Sequence, residues 1–229
     1  MKTIHITLLL ITIVWSSFAQ QQFEGKIIYD MSFPTTKELN TKTMKMAPKE
    51  IVVVTMFLKG HKMRMETLTL LNNSISFYDT KSKTLISLMD IKGQKTAVVT
   101  DKEEMEKEEK QNPVNEKPEI KFLDETKEIA GYPCKKAEIV LNKKTMEILI
   151  VYYTDKIKSD AVKENPKWLL AHHKEIPGVV LEYKIMNQKD EIFNVTAKQV
   201  SAELIADNNF IIPADYKKVS EEKMNKLGK

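Results

Sequence analysis

The sequence predicts a mainly β protein of α+β type: one curved antiparallel sheet, shaped as an incomplete barrel and covered by short helices. Three observations predict it. Apolar and polar residues alternate with a period of two through most of the chain, as in strands with one buried face. Short turn signals separate these runs, so successive strands form hairpins. With 42% apolar and 30% charged residues in 229, the composition excludes a disordered chain, a collagen-like one and a polytopic membrane protein.

Residues 1–19 read as an export signal. Lys2 supplies the basic start, an apolar run extends from Ile4 to Trp15, and Ser17-Phe18-Ala19 places small residues at a cleavage site before Gln20. The run is short for a membrane span; an uncleaved anchor is the alternative. No cysteine lies near the cleavage point, so acylation there is not expected. Residues 20–229 then form a single domain in the periplasm or outside the cell.

In that domain Phe23, Gly25, Ile27, Tyr29 and Met31 alternate with polar or outward positions. The same pattern marks strands at 51–58, 62–67, 74–78, 84–89 and 95–100. After a polar interval it resumes at 120–123, 136–141, 147–153, 179–186 and 191–196, with a last strand expected around Phe210–Pro213. Turns fall at Lys59-Gly60-His61, Asp79-Thr80-Lys81, Lys92-Gly93-Gln94 and Asn142-Lys143-Lys144. Ser159 is a plausible helix cap, and the stretch to His173, containing Trp168, Leu169 and Leu170, predicts a short helical cover limited by Pro166. Residues 35–49 read as a second helix or a long loop. The charge-dense stretch 101–119 reads as a flexible, solvated connection between the two halves of the sheet.

Charge narrows the partners. The net charge is +4, and Arg64 is the only arginine among 36 basic residues. Nucleic-acid sites rely on arginine for bidentate contacts and stacking, so this lysine-rich, acid-interspersed surface argues against nucleic acid. Cys134 is the only cysteine and cannot form an intramolecular bridge; a buried thiol is the expected state, a nucleophile the alternative. His61, His172 and His173 have no zinc-site spacing, and neither a nucleophile elbow nor a phosphate-binding glycine loop is present. No metal, cofactor or catalytic activity is expected.

Several motifs carry a family resemblance. They are Phe23-Glu24-Gly25-Lys26-Ile27-Ile28-Tyr29, Leu58-Lys59-Gly60-His61-Lys62-Met63-Arg64-Met65-Glu66, Tyr78-Asp79-Thr80-Lys81-Ser82-Lys83-Thr84-Leu85 and Gly131-Tyr132-Pro133-Cys134-Lys135-Lys136-Ala137. Val151-Tyr152-Tyr153-Thr154-Asp155 and Phe210-Ile211-Ile212-Pro213-Ala214-Asp215-Tyr216 complete the series. In this order, behind an export signal, the sequence resembles the exported bacterial family called domain of unknown function 4412. The resemblance implies kinship with lipoprotein carriers of the LolA and LolB type and hence a LolA-like half-barrel over an apolar cavity.

The function expected on this basis is a non-catalytic periplasmic binding or carrier protein for a lipid or lipoprotein acyl chain, acting as a monomer. The alternative is a cell-envelope interaction module with a filled core and a protein partner. Met56, Met63, Met65 and Met89 on strands, with Trp168, Leu169 and Leu170 in the cap, are the expected ligand contacts, because thioethers adapt to irregular apolar shapes. A Met-rich core is the competing reading. Arg64 alternates with Met63 and Met65 and so points to the opposite face; turned inward it would be a lid contact through helix carbonyls.

Overall fold

The computed structural model describes residues 22–32, 52–68, 73–91, 93–111, 119–143, 145–165, 175–187, 190–221 and 223–224. Among these residues twelve strands form one sheet: β1 (Gly25–Ser32), β2 (Val52–Lys59), β3 (Lys62–Leu68), β4 (Asn73–Asp79), β5 (Thr84–Ile91), β6 (Gln94–Thr100), β7 (Glu119–Ile129), β8 (Tyr132–Asn142), β9 (Glu147–Thr154), β10 (Val179–Asn187), β11 (Asp190–Ala202) and β12 (Lys217–Ser220). Their order is β12-β6-β5-β4-β3-β2-β1-β11-β10-β9-β8-β7. One meander runs outward from the central β1 to β6. The chain then reappears at the far edge as β7, and a second meander returns to pair β11 with β1. The expected mainly β, open sheet is what forms, with β7 and β12 left as edges.

Hairpin turns set this topology. Between β7 and β8, Ala130 and Gly131 both have positive φ, 50° and 82°. That mirror-image turn matches the right-handed twist of the strands it joins, and the second position is open to glycine at no steric penalty. Before β10, a Cβ on Gly178 would lie 2.1 Å from the Thr154 carbonyl oxygen, so only glycine lets this chain enter beside β9.

The sheet curls. Lys127 on β7 and Glu182 on β10 are three strand spacings apart, about 14 Å in a flat sheet, yet their side chains meet at 2.6 Å. Register shifts account for where the curling occurs. They lie between Leu123 and Thr126, Val140 and Asn142, Val180 and Glu182, Ile185 and Met186, and opposite Ile28/Tyr29. Bulges sharpen local twist. The ladders from β1 to β6 have none.

Among the described residues, two α-helices flank the sheet. α2 (Asp160–Glu164) starts where Ser159 accepts from the Val162 amide, as the sequence predicts, and buries Ala161 and Val162. With Ile157 they pack on Ile27, Tyr29, Val54, Met56, Leu58, Met63 and Leu181 to form the main core. The stretch 101–119 is not wholly a connection: Lys102–Gln111 forms α1. Asp101 accepts from the Glu104 amide, Lys102 and Glu106 pair one turn apart, and Met105 is buried against Tyr78 and Leu85. Local charge pairing and a single apolar anchor suffice for a helix that has no apolar stripe. The strand expected at Phe210–Pro213 is also corrected. Residues Asp207–Phe210 are a 3-10 turn, and the last strand is Lys217–Ser220. Phe210 and Ile212 of the apolar run at 210–212 pack on the face of the sheet instead of joining its edge, while Ile211 points to solvent.

No helix among the described residues is long and apolar enough to cross a membrane. The export signal, the segment 35–49 and the helical cover at 166–173 lie outside the described residues.

Candidate functional site

In the regular half, pairing places side chains in rows. One row on the inner face runs Gly25–Leu58–Met63–Tyr78–Leu85–Thr100, and the next runs Ile27–Met56–Met65–Ser76–Ser87–Val98. Beyond them lie Tyr29, Val54, Thr67 and Ser74, with Met89 opposite Thr96. No charged residue occupies any of these inner positions, although 30% of the chain is charged. The face is therefore methionine, aliphatic side chains and small hydroxyls, with the two tyrosines Tyr29 and Tyr78.

The four methionines expected to bind ligand separate into two pairs on this face. Met56 is 0% and Met63 2% exposed, sealed beneath Ile157, Ala161, Val162 and Asn165, whose side-chain amide reaches the Met63 sulfur at 4.0 Å. Met65 and Met89 are half-buried beside the exposed or half-exposed hydroxyls of Ser74, Ser76 and Ser87. Trp168, Leu169 and Leu170 lie outside the described residues, as do His172 and His173.

Arg64 is on the other face, where its alternation with Met63 and Met65 puts it, so it makes no inward lid contact. Its guanidinium stacks over Phe77 at 4.9 Å, donates to Glu66 at 2.6 Å and donates to the Asn209 carbonyl at 2.8 Å. It does bind a helical carbonyl, but that of the C-terminal segment crossing the outside of the sheet.

The bulged half assembles groups that sequence spacing keeps apart. Lys127 bonds Glu182 and lies 3.9 Å over the Tyr152 ring, while Lys184 approaches Glu182 at 3.6 Å. The Tyr152 hydroxyl donates to Glu125, which also accepts from Lys136 at 2.9 Å. These bonds, from Tyr152 first and Lys136 second, hold the Glu125 carboxyl below its ordinary range. Burial, then Glu125, raises Tyr152 far above the usual phenol value.

Deeper still, Tyr29 is wholly buried and donates to the Val180 carbonyl at 3.0 Å. Burial raises it well above its ordinary value, with Tyr183 and Cys134 adding to the shift. Burial likewise pushes the Cys134 thiol up to about 11. At neutral pH this thiol is protonated and inside the core, the opposite of what a nucleophile needs. Local spacing carries no signal for this cluster, because its partners on β7, β8, β9 and β10 meet only where the sheet curls.

Of metal-binding geometry, no group of three or more His, Cys, Asp or Glu side chains that could hold an ion occurs among the described residues. His61, in the turn between β2 and β3, pairs with Asp79 at the end of β4 at 3.5 Å.

The fold and these faces define an open, curled antiparallel-sheet domain with a sealed apolar interior at its centre. The chain belongs to the family described as N-glycanase peptide, N-terminal domain, whose model matches residues 56–210. The comparisons give no support to the more specific resemblance to domain of unknown function 4412; the open mainly β fold expected from it stands on the topology. No curated protein matches the chain. Among solved structures, the crystal structure of MucB is similar at 8% identity and a TM-score of 0.42, covering 86% of this chain and 60% of that one. The complex structure of Pseudomonas aeruginosa MucA/MucB gives 7% identity and 0.49, covering 86% and 58%. MucB in complex with MucA(peri) gives 6% and 0.46, covering 84% and 55%. The chain thus spans less than two thirds of the length of these structures, and likeness this remote carries no argument about activity or partner.

Proposed function

We propose that this chain is an exported, non-catalytic binding domain that recognises a segment of a partner protein, with the inside of its sheet serving as core. One observation carries this reading: Met56 and Met63, the centre of the expected ligand cavity, are packed by the chain's own Ile157, Ala161 and Val162. An interior filled in this way leaves the outer surfaces and edges of the sheet for recognition. The family description names the N-terminal domain of an N-glycanase peptide, which fits a domain that accompanies chemistry performed elsewhere. Cys134, protonated and buried, supplies no nucleophile.

Native mass spectrometry of the chain purified from its source is the test. The expected spectrum shows the bare polypeptide mass, and incubation with an N-glycosylated protein leaves the glycans attached. A stoichiometric co-purifying lipid, or released glycan, overturns the reading. A second reading, a carrier of an acyl chain, rests on the half-buried Met65 and Met89 of the uncharged inner face. It requires that lipid and its loss in Met65→Lys.

A further inference from the structure

After β11, residues Glu203–Tyr216 cross the outer face of the regular half before β12 joins the edge of β6. Between Glu203 and Ser220 only Ile205 is buried. Three half-buried side chains, Phe210, Ile212 and Tyr216, supply the apolar contact. They lie on a patch formed by Phe77, Leu88 and Ala97, flanked by Ile75 and Ile86. Fixed donors on the sheet hold the backbone: Lys59 binds the Ile205 carbonyl at 2.7 Å, and Arg64 binds that of Asn209. β12 pairs with β6 over four residues in the parallel sense, unlike every other described ladder.

Charge follows the same line. Lys59, Lys62, Arg64 and Lys95 line the face, interspersed with Glu66, Asp79 and Asp90, whereas residues 203–216, before Lys217 and Lys218 of β12, contain Glu203, Asp207 and Asp215 and no lysine or arginine, in a chain with 36 of them. Lys59 pairs with Asp207 at 2.9 Å and Lys95 with Asp215 at 2.7 Å, while Lys62 and Lys95 sit over the Phe210 and Tyr216 rings. A few aromatic anchors, carbonyls on fixed cations and strand addition at an edge are how a peptide ligand binds a sheet. A strand integral to a core instead buries alternate residues, as β2 does.

We propose that the outer face of β3–β6 is a docking site for an extended acidic segment of a partner protein, and that residues 203–220 are its resident competitor. The preferred segment carries an aromatic residue, an aliphatic one two positions on and a second aromatic four further, with a carboxylate just before the last. This rests on the partner-binding reading above and names the surface and the kind of segment. A tethered competitor acts at roughly millimolar effective concentration, so a free peptide binds poorly while the strap is seated.

The experiment uses the full chain and a fluorescent peptide of residues 203–220. Phe210→Ser/Tyr216→Ser unseats the strap and leaves the face intact. That variant is expected to bind the peptide at least tenfold more tightly than the wild-type chain, with affinity falling as salt rises, and to bind neither a scrambled peptide nor one with lysine at 207 and 215. Hydrogen exchange supplies the control: residues 217–220 lose protection in the variant while 52–58 keep it. Should the double variant fail to fold, Asp207→Lys/Asp215→Lys, confined to exposed positions, is expected to act in the same direction. Free exchange at 217–220 with no gain in peptide binding overturns the docking site. So does protection at 217–220 equal to that of 52–58 in both proteins. Either result leaves the filled interior intact, whereas a co-purifying lipid removes that reading without touching the strap.

Discussion

The two halves of the sheet use their faces in opposite ways. From β1 to β6 the ladders are regular, the inner face is uncharged, and the outer face is apolar beneath a thin strap. From β7 to β11 every ladder contains a shift, and the end of β9 and the start of β10 are buried on both sides. The consecutive Tyr152 and Tyr153 show this, since they pack into different clusters. Each bulge inserts a residue and redirects the side chains beyond it. The bulged half can therefore fold Lys127 back over Tyr152 onto Glu182, whereas the regular half must rely on other segments to cover it. Regularity leaves surfaces available; irregularity uses them up.

The largest expected effect tests that contrast directly. Leu181→Ala, at the β10 bulge and 0% exposed, should destabilise by about 2–5 kcal/mol. Met65→Ala on the half-open face should lose only about 1 kcal/mol. Urea denaturation of both variants decides it: equal losses would mean that the inner face of the regular half is as sealed as the centre.

Next comes the ion pair. Lys127→Met leaves the buried Glu182 without its closest partner and should destabilise by about 1–3 kcal/mol, less than a fully buried pair because Lys127 is itself partly exposed and Lys184 remains near. Lys127→Met/Glu182→Leu should recover most of that. A double variant no better than the single one would show that the pair itself, not relief of an unpaired charge, holds the curl.

Alkaline pH should weaken the core where the two halves meet. Burial raises Cys134 from about 9 to about 11, so the folded state holds this proton more tightly than the unfolded chain. Its contribution is complete below pH 9 and is lost as pH rises from there towards 11. Tyr29 and Tyr183, raised by burial, add to the loss at higher pH. Denaturation midpoints from pH 8 upward should fall along that course, and Cys134→Ala should fall less steeply. Identical slopes would place the thiol in contact with solvent.

The smallest effect belongs to the strap. Lys95 bonds Asp215 and holds its carboxyl below the ordinary range, but both groups are exposed. Asp215→Asn should leave the global denaturation midpoint unchanged while raising hydrogen exchange at 217–220. A shift of the whole transition would make the strap part of the core.

Much of the regular half was legible because local alternation and sheet pairing agree there. Met63 and Met65 do share a face that Arg64 avoids, and the turns at Gly60 and Gly93 do join hairpins. Where the two disagree, reading failed for identifiable reasons. Phe210-Ile211-Ile212 looks like a strand but lies flat on one, while the charged Lys217–Ser220 pairs at the edge, where apolar alternation is not needed. The charged stretch at 102–111 reads as a solvated connection because it has no apolar stripe, yet burial of Met105 alone anchors it as a helix. Of the candidate binding residues, the sequence identified Met56, Met63, Met65 and Met89 as one surface, yet nothing local could say that α2 seals two of them and leaves two half-buried.

By itself, then, the sequence determined a mainly β chain of hairpins, the placement of Met63 and Met65 on one face and that of Arg64 on the other. These follow from the two-residue period of a strand, a property of neighbouring residues. Only the tertiary structure decided that β1 pairs with β11, that Lys127 reaches Glu182 and that the C-terminal strap covers Phe77, Leu88 and Ala97. Those contacts join residues tens to more than a hundred positions apart. Their geometry is set by accumulated twist and bulges across several strands, which no single stretch of sequence encodes.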